Sequence, residues 1–266
     1  MTKLIVDVGS NWKKFDGEAK SYEIAVRQIE AAAEGGADYV KFQMYTDKEL
    51  YGKAVLGINE FALPRKWIPK LKKVADKTGI GFMCTGFSVE GYKYLNDYVD
   101  VHKVASAEAT SAELMDTVTR LGKTVLVSNG ANSTLTAKYP GCIVMHCVSD
   151  YPARVENYVF ELKAAGYSLI DGRRTGLSDH TAPHKTDLAT MAHLFGYGWV
   201  EIHFDYNPEV GDIITPDFPV SRNLDQLKEY ASILKVAIRP DKKSFSDKYA
   251  RRDGNVLFTG CFRPQA

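Results

Sequence analysis

The stretch YEIAVRQIEAAAEGGADYVKFQMY, Tyr22 to Tyr45, contains the unit from which the fold is read. Its first half places apolar residues at helical spacing, Gly35 stands where a left-handed helix cap belongs, and YVKFQMY is a short apolar run interrupted by Lys41 and Gln43. A helix, a glycine turn and a strand thus follow one another directly. If the unit recurs, the strands run parallel and the helices form the crossovers.

It does recur. Working outward, strands are expected at Leu4 to Gly9, Tyr39 to Tyr45, Gly81 to Phe87, Val101 to Ser106, Thr124 to Gly130, Cys142 to Val148, Arg174 to His180 and Trp199 to Phe204. Amphipathic helices lie between them, with Gly35, Gly79, Gly122, Gly166 and Gly196 at the expected caps, and only the fifth crossover, NSTLTAKYP, is too short for a full helix. Eight alternating units predict an α/β fold, a TIM (β/α)8 barrel, with a doubly wound open sheet as the alternative. The pattern stops after about Ala237, so the reading is a catalytic barrel over residues 1–238 and a short C-terminal extension, a basic and aromatic arm, over 239–266.

Composition narrows the function classes. With 266 residues, 45% hydrophobic and a formal net charge of +1, the chain has a sizeable core and no global field for nucleic acid or an anionic membrane surface. Cys84, Cys142, Cys147 and Cys261 show neither zinc-site spacing nor the density of a disulfide scaffold, and no signal peptide or long apolar run is present. The expectation is a cytoplasmic protein with a small ligand.

In a closed barrel the reacting groups sit at the C-terminal ends of the strands. Every expected strand carries polar residues there: Asp7; Lys41 and Gln43; Thr85; Lys103, Ser106 and Glu108; Ser128 and Asn129; Ser149 and Tyr151; Ser178, Asp179 and His180; Glu201 and His203. Lys41 and Lys103 are flanked by apolar residues, where an unpaired ammonium is costly. Each could pair with Asp7, Glu108 or Glu201 as a structural bridge, but two lysines with several hydroxyls compose a cradle for phosphate or carboxylate. His102, His184 and His193 read as packing or surface residues. His180 and His203 instead end adjacent strands at equivalent depth, where two imidazoles can hold Mn2+, Fe2+, Co2+ or Zn2+ with oxygen ligands.

The segments VDVGSN, GADYVKFQMY, FMCTGFSVEG, HKVASAE, GKTVLVSNGA, IVMHCVSDYPA, GLSDHT, VEIHF and TPDFPVS, in that order, are together a specific signal. Through them the chain resembles the N-acetylneuraminate (sialic acid) synthases and the relatives that make legionaminic and pseudaminic acids. The resemblance implies a TIM barrel that condenses phosphoenolpyruvate with a sugar aldehyde under a divalent metal, usually Mn2+. It implies phosphoenolpyruvate contacts from Lys41, Thr85, Lys103, Ser106, Ser128 and Ser178, and metal contacts from His180 and His203. It further implies sugar contacts from Asp7, Gln43, Tyr151 and Asp217, with Ser149 at a position that is often Asn or Ser. Glu108, Glu201 and Asp179 are the candidates for moving protons.

Three departures bear on the sugar end. Asp7 stands where the family usually writes Glu, and Trp12, Lys13 and Lys14 follow Asn11 in place of His-Asn-Gly. The chain ends about where the family's antifreeze-like domain would start, so the arginine that this domain lends to a partner's sugar has no counterpart unless Arg251, Arg252 or Arg263 serves. Aligning Asp217 requires a small insertion after His203. The expected partners are phosphoenolpyruvate, a small sugar aldehyde and a second copy of the chain. The alternative functions are a Schiff-base aldolase using Lys41 or Lys103, and a non-catalytic sugar-phosphate-binding barrel.

Overall fold

The computed structural model describes residues 1–46, 48–49, 59–129, 138–158 and 175–236. Eight strands form: β1 (Lys3–Gly9), β2 (Tyr39–Met44), β3 (Gly81–Gly86), β4 (His102–Val104), β5 (Val125–Ser128), β6 (Ile143–Cys147), β7 (Thr175–Asp179) and β8 (Trp199–His203). All paired neighbours are parallel, in the order β3-β2-β1-β8-β7-β6-β5-β4. β3 and β4, at the two ends of that order, are in contact, so the sheet curls into a nearly closed TIM barrel, not an open doubly wound sheet.

Six helices among the described residues cover the outside: α1 (Glu18–Glu34), α2 (Ile68–Thr78), α3 (Val89–Leu95), α4 (Ala112–Arg120), α5 (Asp187–Phe195) and α6 (Leu224–Lys235). The sequence explains their ends. Ser88 and Ser111 accept the backbone N–H of Gly91 and Leu114 at the starts of α3 and α4, and Asn223 forms a reciprocal capping box with Gln226 at α6. Gly79 and Gly196 end α2 and α5 in the left-handed conformation. Gly35 does not: its φ is −71°, and Gly36, at φ +84°, takes the left-handed place. Gly35 is needed for room instead, because a Cβ there would strike the Leu227 side chain of α6.

Much of the two crossovers after β5 and β6, with Gly166, lies outside the described residues, as do the arm over 239–266 and its Arg251, Arg252 and Arg263. Among the described residues no helix is long and apolar enough to cross a membrane.

Inside the barrel, Ile5, Met83, Val101, Leu126 and Met145 form a dry floor. Gly176 lies against Met145 with no space for a side chain, so a large residue on β6 is matched by none on β7. A larger apolar shell outside the sheet joins β1, β2, β7 and β8 to α1, α2, α5 and α6. The floor limits the interior to one open end, the C-terminal one.

Candidate active site

Strand register builds the site directly above the floor. Asp7 of β1 is opposite Lys41 of β2 on one side and His203 of β8 on the other, and Ser178 of β7 is opposite Glu201 of β8 and Cys147 of β6. These side chains project into one cavity of about 550 Å³, lined also by Gln43, Thr85, Lys103, Ser106, Glu108, Ser128, Ser149, Tyr151, His180 and Asp217. Four strands therefore bring both lysines and both histidines to one hollow.

The charges interlock. Lys41 Nζ lies 2.5 Å from Asp7 Oδ2 and 3.9 Å from Glu201 Oε2, while Lys103 Nζ donates to Glu201 Oε1 at 3.0 Å and to Ser128 Oγ at 2.8 Å. Ser178 Oγ donates to the same Glu201 oxygen at 2.9 Å. Burial works against the charges on Lys41 and Glu201, but their opposite neighbours prevail: the Lys41 pKa is raised above the ordinary lysine value and the Glu201 pKa is lowered below the ordinary carboxylate value. Both are ionised at neutral pH. The Thr85 hydroxyl faces the cavity with no hydrogen-bond partner among the described residues, and Glu108, half-buried at the lip, has its pKa raised by burial.

His180 is held in one tautomer. Its Nδ1–H donates to the Val148 carbonyl at 2.6 Å, which leaves the Nε2 lone pair in the cavity, 3.2 Å from Ser178 Oγ and 3.3 Å from Tyr151 Oη. Burial and the neighbouring His203 lower its pKa to about 4, so the ring is neutral. The His203 ring is 5.4 Å away between centroids, and its Nδ1 lies 3.2 Å from Asp217 Oδ1. Burial opposes a proton on His203, but Asp217 and Asp7 outweigh it and raise its pKa. Tyr151 stacks on His180 at 4.3 Å and remains 56% exposed at the mouth.

Asp217 is positioned by a clasp between the loops after β1 and β8. Ser10 donates its backbone N–H at 2.7 Å and its hydroxyl to Asp217, and Thr215 donates to Asn11. Lys14 is 1% exposed and pairs with the buried Asp205, which Gln28 also contacts at 3.2 Å. The Lys14 carbonyl accepts the N–H groups of Asp212 and Ile213. The departure at Trp12, Lys13 and Lys14 therefore puts no lysine into the cavity. Trp12 joins the core against Trp67, and Lys14 ties the rim together.

Asp179 requires a correction. Strand alternation turns it away from the cavity as its neighbour Ser178 turns in. Its Oδ1 accepts from the Thr181 N–H and hydroxyl at 2.8 and 2.6 Å, and its Oδ2 accepts from Arg222 Nη2 and Tyr230 Oη, both at 2.9 Å. A proton-moving role at the substrate is excluded by that orientation.

The cavity also takes in Phe87, Ala105, Ala107, Cys147 and Pro216, which the sequence reading missed. Cys147 had a usable signal, since it lies two residues beyond the floor residue Met145 on the same strand face. Ala105 had the same signal, two residues beyond the inward Lys103, whereas Ala107 lies past the end of β4 at Val104, where strand alternation no longer applies.

A model described as the NeuB family matches residues 28–239. The chain belongs to the NeuB family. Among its relatives, the N,N'-diacetyllegionaminic acid synthase of Campylobacter jejuni is 28% identical over 92% of this chain and 78% of its own length. The pseudaminic acid synthase of Helicobacter pylori is 25% identical over 89% and 74%. Among solved structures, the N-acetylneuraminic acid synthetase of Leptospira borgpetersenii superposes with a TM-score of 0.73, covering 93% of this NeuB-family chain and 90% of that one at 22% identity, a likeness of fold.

Proposed function

We propose that the chain condenses phosphoenolpyruvate with a neutral, open-chain sugar aldehyde, giving a 2-keto-3-deoxy sugar acid and phosphate. The observation that carries this is the pair of buried ammonium groups, Lys41 and Lys103, facing one cavity with the Thr85, Ser106, Ser128 and Ser178 hydroxyls and two imidazoles. Phosphate and carboxylate on one small molecule match that donor set.

In this reading Lys41 and Lys103 hold the phosphoenolpyruvate anions while Thr85 and the serines orient them. Carbon 3 attacks the aldehyde carbon, forming the C–C bond, and water adds at carbon 2. The resulting hemiketal phosphate then breaks its C–O bond and releases phosphate. Holding the two reactants in line accounts for much of the rate. Glu108, whose raised pKa brings it closer to the working range, moves a proton at the lip.

The site suits a divalent metal such as Mn2+. The neutral His180 ring, with its Nδ1 fixed to a carbonyl and its Nε2 in the cavity, is in the form that ligates. Among the described residues no three His, Cys, Asp or Glu side chains make a ready cage, so His180 and His203 are the ligands the chain would offer. When bound, the ion would polarise the acceptor carbonyl.

The acceptor is read as neutral because Asp7, Glu108, Glu201 and Asp217 surround the two lysines and oppose further negative charge. A Schiff-base aldolase needs a neutral lysine amine, and the raised pKa of Lys41 argues against one. The test is phosphate release from phosphoenolpyruvate with Mn2+ across a panel of N-acetylhexosamines, simple aldoses and their 6-phosphates. Turnover is expected with a free sugar and not with its phosphate, and is lost in Lys103→Met. No release across the whole panel with metal bound would favour the non-catalytic sugar-binding barrel.

A further inference from the structure

The backbone at the end of β7 is tied down by a side chain that takes no part in the cavity. Tyr158, in the helical turn 155–158, is fully buried behind the strand. Its hydroxyl donates to the Ser178 carbonyl at 2.7 Å and accepts the His180 N–H at 2.8 Å. One phenol thus takes up a backbone acceptor and a backbone donor on either side of Asp179. The ring stands edge-on to His146 at 5.6 Å, and the His146 Nε2 is hydrogen-bonded to the Tyr158 carbonyl at 3.2 Å.

Other contacts complete the frame around His180. Its carbonyl accepts the Ala153 N–H at 2.8 Å, its Nδ1 is held by Val148, and Asp179 beside it is locked between Thr181, Arg222 and Tyr230. With backbone, Nδ1 and preceding side chain all restrained, the His180 Nε2 has one direction left, into the cavity.

We infer that Tyr158 is a positioning residue that aims the His180 imidazole, with Asp179 supporting it from the outer side of the sheet. The inference rests on the reading of His180 and His203 as metal ligands. A phenol suits the place because it donates and accepts at the same time; Phe has the same shape but leaves the Ser178 carbonyl and the His180 N–H without partners in the interior.

The experiment measures Mn2+ binding to the full chain by the electron paramagnetic resonance signal of free Mn2+, alongside thermal melting. Tyr158→Phe is expected to weaken Mn2+ binding roughly tenfold or more, as loss of a supporting contact to a metal-bound histidine does. Phosphoenolpyruvate affinity should be unmoved, and Asp179→Asn should weaken Mn2+ in the same direction. Lys103→Met should do the reverse, weakening phosphoenolpyruvate and leaving Mn2+ alone. Native Mn2+ affinity in a folded Tyr158→Phe overturns the inference alone, provided His180→Ala does lose the ion. Native affinity in His180→Ala overturns the metal reading and the inference with it. If Tyr158→Phe does not fold, amide hydrogen exchange of the native chain decides. Protection at His180 as strong as in the β7–β8 ladder supports the bond, and exchange at loop rates overturns it.

Discussion

Gly9, which packs against the cavity residue Asp217, and Glu108 at the lip show how far one position can be pushed. Gly9 ends β1 at φ +52°, and a Cβ added there would collide with the Asp217 carboxylate. Gly9→Ala therefore strains the backbone and displaces the residue that Ser10 and His203 hold in place. A stability loss of about 1–3 kcal/mol is expected by melting, with a raised KM for the acceptor and an unchanged KM for phosphoenolpyruvate. An equal rise in both would count against a contact between Asp217 and the sugar. Glu108 provides a pH test. Its pKa is raised by burial, against the pull of Lys103, so it takes up a proton at a higher pH than a free carboxylate does. If it accepts a proton during turnover, activity should fall as pH drops through that raised value, and Glu108→Gln should flatten this acid limb. An acid limb identical in the variant would remove Glu108 from the chemistry. Which of the candidate carboxylates faces the cavity is only partly legible in the sequence. Asp7, Glu201 and Asp217 line the cavity, whereas Asp179 was misjudged because the strand-end pattern S-D-H gives three polar residues in a row and alternation admits only alternate ones.

At the scale of elements, the repeating helix, glycine and strand was enough to specify the barrel, because eight parallel units with right-handed crossovers have few other ways to close. The inward side chains of β2, β4 and β8 could be read by counting from the apolar floor. The rim could not. Lys14 looks like a surface lysine in the sequence, yet the loop folds it under Asp212 and Ile213 and buries it against Asp205, a long-range contact that no local spacing announces. That pair makes a prediction about the element it fastens. Lys14→Met alone leaves the Asp205 carboxylate buried with Gln28 as its side-chain partner among the described residues and should cost about 3–5 kcal/mol. Asp205→Leu combined with Lys14→Met should recover most of that loss, since a buried ion pair and a packed apolar pair are often close in energy. The thermal midpoints of the two single variants and the double variant check this. If the double variant is no better than the singles added together, the clasp does not act as a pair.

For the molecule as a whole, polarity is arranged in shells: a dry floor, a charged ring above it, and an apolar layer between sheet and helices. Two buried histidines outside the site, His102 and His146, bear on how the fold meets acid. His102 on β4 is fully buried against Tyr92, with its Nε2 2.9 Å from Asn96 Oδ1, and burial together with Lys123 lowers its pKa to about 4. His146 on β6 is lowered to about 4 by burial as well. Above the ordinary histidine pKa of about 6.5, both rings are neutral in the folded and the unfolded chain, and their full contribution to stability is present. As pH falls below that value the unfolded chain takes up two protons that the folded chain refuses until about 4, so stability is lost across this window. Each ring should account for on the order of 1 kcal/mol, or about 2–4 °C in Tm for a domain of this size. His102→Gln, which cannot be protonated, should melt less differently at pH 7 and pH 4.5 than the native chain does. If the two pH dependences coincide, His102 takes up its proton in the fold as readily as in the unfolded chain, and its place between Tyr92 and Asn96 tolerates the charge.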